Sequence, residues 1–221
     1  MLGRTEVSRQ DTTWTKHAHL AQLPLGSMLG SRRWVRDNLS LRIAESRADI
    51  TEVSDILLKR HYLRRRATPP RTLVMSYLGS LGGQGACAMV QVAMLPANTK
   101  ALCLALDLHP CSILTLTRAW RADDCTPDRT PGLMPLVIRR AVKRLAADWT
   151  ERKCQRVQAK PRLLISYCDP ALQHDGGTYL GAAAVPLGPC AGGKLMFAWP
   201  LDNMLREPLR QYAQARAERR R

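Results

Sequence analysis

The chain has 221 residues, 45% of them hydrophobic and 5% aromatic, and a formal net charge of +16. That length and apolar content suit one sizeable domain with a real core, and the positive excess points to a polyanionic partner, nucleic acid ahead of an anionic membrane surface. No apolar run reaches the roughly 20 residues of a spanning helix, the polar opening MLGRTEVSRQDTTWTKH lacks the apolar stretch of a secretory signal, and seven cysteines without a C-x-x-C pair argue against a zinc ribbon or a closed disulfide framework, so a cytoplasmic protein with reduced thiols is expected.

Residues 1–36 show no clear period and carry scattered charge with Gly26, Gly30 and Arg32-Arg33, the composition of a mobile basic arm. From Leu39, LSLRIAES alternates apolar and polar residues and predicts a half-buried strand. Asp49 or Thr51 then caps a helix to about Tyr62, with Ile50, Val53, Ile56, Leu57 and Leu63 on its apolar face. Lys59, Arg60 and Arg64 to Arg66 bring positive charge to the end of that helix, which suits its dipole, and His61 and Tyr62 lie in its last turn. After Pro69-Pro70, RTLVMSYLGS and ACAMVQVAML predict a hairpin with a Gly-rich turn, and ALCLALDLHP a further short strand. CSILTLTRAWRADD is a strand with Thr115, Thr117 and Arg118 near its exit. The breaker-rich CTPDRTPG leads into PLVIRRAVKRLAADWTERK, the clearest helix, with Pro135 in its first turn and Leu136, Ile138, Val142, Leu145, Ala146 and Trp149 on one face. With the apolar run at Leu163 this makes a β-α-β crossover.

The stretch RLLISYCDPALQHDGGTYLGAAAVPLG, from Arg162 to Gly188, concentrates the polar chemistry. It opens with a short buried strand between Pro161 and Pro170, after which Asp169, His174, Asp175 and Tyr179 gather where the strand ends, the edge at which open α/β sheets bind ligands. Gly176-Gly177 breaks the chain, and Tyr179 to Val185 reads as a short helix. Each residue alone fits an ordinary Asp-Pro turn and capped helix; together they read as a site. Cys168 adjoins Asp169, and alternation along the strand gives the two opposite faces. KLMFAWPL is a last strand and MLREPLRQYAQARAERRR a basic helix that frays. No G-x-x-x-x-G-K-[ST] or G-x-G-x-x-G phosphate loop is present. The loop before the long helix, with Arg129, Thr130 and Gly132, can offer backbone N–H groups to a pyrophosphate or serve as a plain connection. The expected division is a basic arm over 1–36, a catalytic domain over 37–202 and a basic helix or tail over 203–221, the fold being α/β (α+β), a single domain with a mixed central sheet flanked by helices.

That order of elements is similar to the GNAT acetyltransferase architecture. Locally, His61-Tyr62-Leu63-Arg64-Arg65, the strand Leu116-Thr117-Arg118-Ala119-Trp120 before an Asp-containing loop, and Ser166-Tyr167-Cys168-Asp169-Pro170 with His174-Asp175-Gly176-Gly177-Thr178-Tyr179 resemble the Mom family of phage DNA-modification proteins, over about Leu39 to Trp199. The resemblance implies a GNAT-like enzyme that uses acetyl-CoA to convert adenine in double-stranded DNA to a carbamoylmethyl derivative and shields phage DNA from restriction inside the host cell. By matching positions it makes His61, Tyr62, Arg118, Asp169 and Tyr179 the functional candidates, Arg118 for coenzyme binding and the other four for catalysis; Arg129, Thr130 and Gly132 join the coenzyme-binding candidates from their place in the loop before the long helix. The chain departs from the family pattern in carrying Arg129-Thr130-Pro131-Gly132 where Asn and Ser are expected.

Two chemistries fit those residues. A carboxylate, an imidazole and phenolic oxygens suit iron or a similar divalent metal, giving His61, Tyr62, Asp169 and Tyr179 as ligands, and bonding an acetyl methyl carbon to an amine calls for C–H activation, a task for a redox metal. Without a metal, Tyr179 is a general acid, Asp169 a base or orienter and Arg118 an anion clamp. Reaching a paired amine requires flipping the adenine, with Tyr62 or Trp120 to receive it. Two alternatives remain open: a conventional N-acetyltransferase acting on a protein or RNA amine, and a non-catalytic basic nucleic-acid-binding protein. The second has no need of the polar cluster.

Overall fold

The computed structural model describes residues 31–61, 73–83, 85–94, 99–153 and 159–219. Seven strands, β1 (Leu39–Ile43), β2 (Val74–Leu81), β3 (Ala88–Ala93), β4 (Ile113–Arg121), β5 (Leu163–Cys168), β6 (Val185–Pro189) and β7 (Leu195–Pro200), form one mixed sheet in the order β1-β2-β3-β4-β5-β7-β6. Every described pairing is antiparallel except that of β4 with β5. The helices are α1 (Arg32–Asn38), α2 (Arg47–Asp55, prolonged by a π-turn over Ile56–Arg60), α3 (Lys100–Leu106), α4 (Leu133–Lys153), α5 (Gly177–Gly181) and α6 (Arg206–Glu218). The expected mixed central sheet flanked by helices is present, and α4 is the crossover between the parallel strands β4 and β5.

Helices cover both faces. α4 packs its apolar stripe, with Ile138, Leu145 and Trp149 fully buried, against one face. There Gly79 leaves room for the Val137 side chain, which a Cβ at that position would meet at 3.3 Å. On the same face the Tyr77 hydroxyl donates to Asp148 Oδ2 of α4 (3.0 Å), and burial, reinforced by that carboxylate, raises the phenol pKa and keeps it protonated. α2 lies across the other face: Arg42 of β1 reaches Asp49 (3.0 Å) and Glu52 (2.9 Å) of α2 and donates to the Ser80 hydroxyl of β2. A second apolar cluster joins Leu102 and Leu106 of α3, Leu163 and Ile165 of β5, and Leu209 of α6. Arg140 and Arg144 of α4 donate to the carbonyls of Leu39 and Leu41, covering the edge of β1. Two charges of the basic stretch Arg139 to Arg144 are thus engaged in the fold.

Five expectations change. Residues 32–36, assigned to the mobile arm, are helical, capped by Ser31, with Val35 buried; residues 1–30 lie outside the described part. The helix after β1 starts earlier than expected, because Ser46 caps it and Asp49, at the third helical position, reaches back to the Ser46 N–H in a capping box; Ile50, assigned to its apolar face, is 55% exposed. ALCLALDLHP is helix rather than strand: its apolar residues also fit a 3.6 period, with Leu102, Cys103 and Leu106 buried on one face and helix-favouring Ala and Leu throughout. The short helix falls at Gly177–Gly181, ahead of Tyr179 to Val185. β6 went unpredicted since only Leu187 is buried and Pro186, Gly188 and Pro189 break the pattern, which an edge strand tolerates.

Candidate functional site

β4 and β5 pair only at Ile113 with Leu163, Leu114 with Leu164 and Thr115 with Ile165. Beyond that point β4 runs on to Arg121 beside β3, while β5 runs on to Cys168 beside β7, so the two strands part. The Ser166 hydroxyl donates to the Leu116 carbonyl (3.2 Å) where the pairing ends. At the same level β4 carries an extra residue: Gln91 pairs with Arg118 and Val92 with Leu116, leaving Thr117 as a bulge. A bulge re-aims the side chains that follow it, and the Thr117 hydroxyl donates to the Gln91 carbonyl (3.2 Å) to hold it. A main-chain donor or acceptor left without a strand partner is costly unless something else satisfies it. The parted strands therefore make a slot suited to an extended ligand that carries amides.

The slot opens into a cleft of about 780 Å³, walled by Leu116–Arg121 of β4, the first turn of α4 with Thr130 and Gly132 before it, His61 at the end of α2, Cys168 and the residues from Gln173 to Tyr179. Gly132 has φ +75°, a left-handed turn that lets the chain enter α4 there. Thr130 is buried, and its hydroxyl donates to the Thr126 carbonyl (3.0 Å), so it braces the loop. Arg118 donates to the Thr117 carbonyl (2.7 Å) and, with Arg32 and Arg121, lends the cleft positive charge. Arg129 is exposed and stands outside the cleft wall.

His61 is 2% exposed. Burial first, then the charges of Arg118 and His174, lower its pKa to about 4, so at neutral pH the imidazole is uncharged and can accept a proton. Tyr179 projects from α5, with its ring 5.2 Å from Phe197 and 5.6 Å, edge-on, from Trp199. The Trp199 indole N–H donates to the Ala182 carbonyl (3.1 Å) and ties α5 to β7. Gly176 is required ahead of this helix: its φ is +80°, and a Cβ would stand 2.2 Å from the Phe197 ring.

His61, Tyr179, Arg118, Thr130 and Gly132 thus share one cleft. Tyr62 lies outside the described residues. Asp169 is not in the cleft wall; its Oδ1 accepts the Ala171 N–H (3.1 Å) and caps the turn Pro170–Leu172. Alternation at the end of β5 turns Cys168 to the cleft instead, and burial raises the Cys168 pKa, keeping it a thiol. Asp175 does line the cleft, with Oδ1 accepting the Gly177 N–H (2.8 Å), as do His174 and Trp120. The signal for His174 and Asp175 in the sequence was the polar run between Pro170 and Gly176. Among the described residues, no three His, Cys, Asp or Glu side chains gather to hold a metal ion, and of the iron ligand set His61 and Tyr179 line the cleft while Asp169 lies outside its wall, so the described members of that set do not gather at one point.

No protein-family model matches the chain, and no curated protein matches it by sequence. Solved structures similar to it include acetyltransferases. AAC(6')-Ib in complex with paromomycin and acetyl-CoA is 13% identical, covering 78% of this chain and 96% of its own, with a TM-score of 0.49. The ribosomal-protein-S18-alanine N-acetyltransferase of Escherichia coli is 11% identical, covering 74% and 94%, with a TM-score of 0.46. Spermidine/spermine N-acetyltransferase SpeG of Vibrio cholerae, in complex with manganese, is 9% identical, covering 78% and 98%, with a TM-score of 0.44. No described helix is long and apolar enough to cross a membrane.

Proposed function

We propose that the chain is an acyl-CoA-dependent transferase that modifies an amine of nucleic acid, adenine in duplex DNA being the acceptor. The observation that carries the donor half is the parting of β4 from β5 after Thr115 and Ile165, beside the first turn of α4. A pantetheine arm is a chain of amides and can pair with β4 in place of a strand, while a pyrophosphate suits the N-terminal turn of a 21-residue helix. The net charge of +16 supports the acceptor half.

For acyl transfer the amine nitrogen attacks the thioester carbonyl carbon and the C–S bond breaks. Neutral His61 takes the amine proton, and the Tyr179 hydroxyl protonates the departing thiolate. Products are the N-acyl acceptor and free CoA. Arg118, on β4 within the same wall, opposes the negative charge that develops on oxygen. Trp120 borders the cleft at 7% exposure and is the indole assigned here to the acceptor base, which it can meet along the small exposed part of its ring. The Mom-like wording of the sequence supports a carbamoylmethyl product over an acetyl one; that product is bonded through the acetyl methyl carbon, so it needs a two-electron oxidant as well as a nitrogen donor and is not reached by the acyl transfer above. Iron, had the ligand set fitted, would supply C–H activation, and no step here passes through it.

The test is incubation of the full chain with acetyl-CoA and duplex DNA, followed by digestion and mass spectrometry of the nucleosides, alongside DNA from cells producing the protein. A modified deoxyadenosine carrying label from the acetyl carbons is expected, its mass distinguishing acetyl from carbamoylmethyl. Duplex binding should weaken steeply with added salt as counterions are released. Unmodified DNA beside an acetylated protein or RNA would replace DNA as acceptor, and no turnover of acetyl-CoA with any amine would leave a nucleic-acid-binding protein.

A further inference from the structure

Next to the cleft lies a second cavity of about 610 Å³. Arg32, Gly132, Pro135 and Gly181 border both, so the two are continuous around the first turn of α4. Arg32, Arg33 and Arg36 of α1 and Arg139 of α4 border this second space, and among the described residues no carboxylate does. Arg139 donates to the Gly181 carbonyl (3.1 Å), which uses one of the five N–H groups a guanidinium carries. Asp37 pairs with Arg36 (2.9 Å) and with Arg33 (3.7 Å); Arg32 makes no ion pair among the described residues. Neither His61, Arg118 nor Trp120 borders the cavity, so it adjoins the helix end of the cleft and stands apart from the imidazole and indole assigned to the acceptor.

We propose that these four arginines hold the nucleotide end of the donor and read its ribose 3'-phosphate, selecting CoA over dephospho-CoA. The inference rests on the acyl-CoA reading and adds a specificity device supplied by α1, a helix that precedes the sheet. A phosphomonoester carries about −1.5 to −2 charges at neutral pH, and guanidinium groups bind it through paired, charge-assisted hydrogen bonds. The cavity lies within the roughly 300–1,000 Å³ of small-ligand pockets, and its continuity with the cleft at Gly132 lets one molecule span both. The route for the donor then runs from the strand slot, past the first turn of α4, to α1.

Calorimetric titration of the full chain with CoA and with dephospho-CoA tests this, using wild type and an Arg32→Gln/Arg33→Gln variant with thermal unfolding as the fold control. Wild type should favour CoA by about tenfold or more, the worth of one charge-assisted contact. The variant should bring the two ligands to within about twofold by losing CoA affinity, with dephospho-CoA unchanged. Should the double variant unfold, Arg33→Gln alone, whose side chain is 85% exposed, serves in its place. Equal wild-type affinities, or a preference retained in the variant, overturns the proposal. Loss of duplex DNA binding with the CoA preference intact overturns it too and assigns the cavity to backbone phosphates. If wild type binds neither coenzyme, the acyl-CoA reading itself falls.

Discussion

The two halves of the sheet put the same kind of strand to different use. From β1 to β3 pairing is continuous: β2 and β3 match from Val74–Ala93 to Gly79–Ala88, α4 seals one face through Tyr77 and Asp148, and the edge carbonyls of β1 are taken by arginines. At the β4/β5 seam the pairing stops after three residue pairs, a bulge intervenes, and the walls carry His61, Arg118 and Tyr179. The first half gains stability by satisfying its groups internally; at the seam the strands part and polar side chains line a cleft. Substitutions in the first half should therefore change stability before activity, and substitutions in the seam the reverse.

The largest effect is expected from Trp149→Ala, which empties a fully buried position under the sheet. Chemical denaturation should show a loss of about 3–5 kcal/mol. Tyr179→Phe sharpens the contrast, because the ring packing on Phe197 and Trp199 is kept and only the hydroxyl goes. Acyl transfer should slow by about 10²–10⁴-fold in single-turnover assays, with thermal unfolding close to wild type. His61 links the two regions. Its folded pKa, about 4, lies below the ordinary 6.5, so between those values the unfolded chain binds a proton that the folded chain refuses. Stability contributed by neutral His61 is therefore complete above pH 6.5 and is lost as pH falls toward 4, by roughly 3 kcal/mol at most. Comparing wild type with His61→Gln by urea denaturation across that window should show a steeper slope in wild type, the remainder coming from carboxylates such as Asp49 and Asp202. The smallest effect belongs to the capping box of α2: Asp49→Ala should cost about 1 kcal/mol and leave acyl transfer unchanged.

Reading the chain alone captured the long-period features. The stripe from Leu136 to Trp149 and the apolar runs of β2, β3, β4, β5 and β7 gave the sheet and its crossover, because burial imposes a period that composition reveals. α3 was misassigned since Leu102, Cys103 and Leu106 satisfy two periods at once and tertiary packing chose between them. In the site, Tyr179 and His174 were visible as a polar run after a strand. The difference between Asp169 and Asp175 was not, because each follows a strand and precedes a breaker, and only the turn Pro170–Leu172 decides that Asp169 closes on the Ala171 N–H. The arginines of α1 were read as arm, since three cations in seven helical residues leave only Trp34 and Val35 to mark a packed face.

Hydrogen exchange of the main chain over Leu116–Arg121, with and without acetyl-CoA, tests most directly whether the seam is a donor slot. With acetyl-CoA bound between β4 and β5, amides of that segment and of the first turn of α4 should become protected while those of β1 and β2 stay as they were. Acetyl-CoA that binds and leaves Leu116–Arg121 exchanging at the unliganded rate would contradict the assignment.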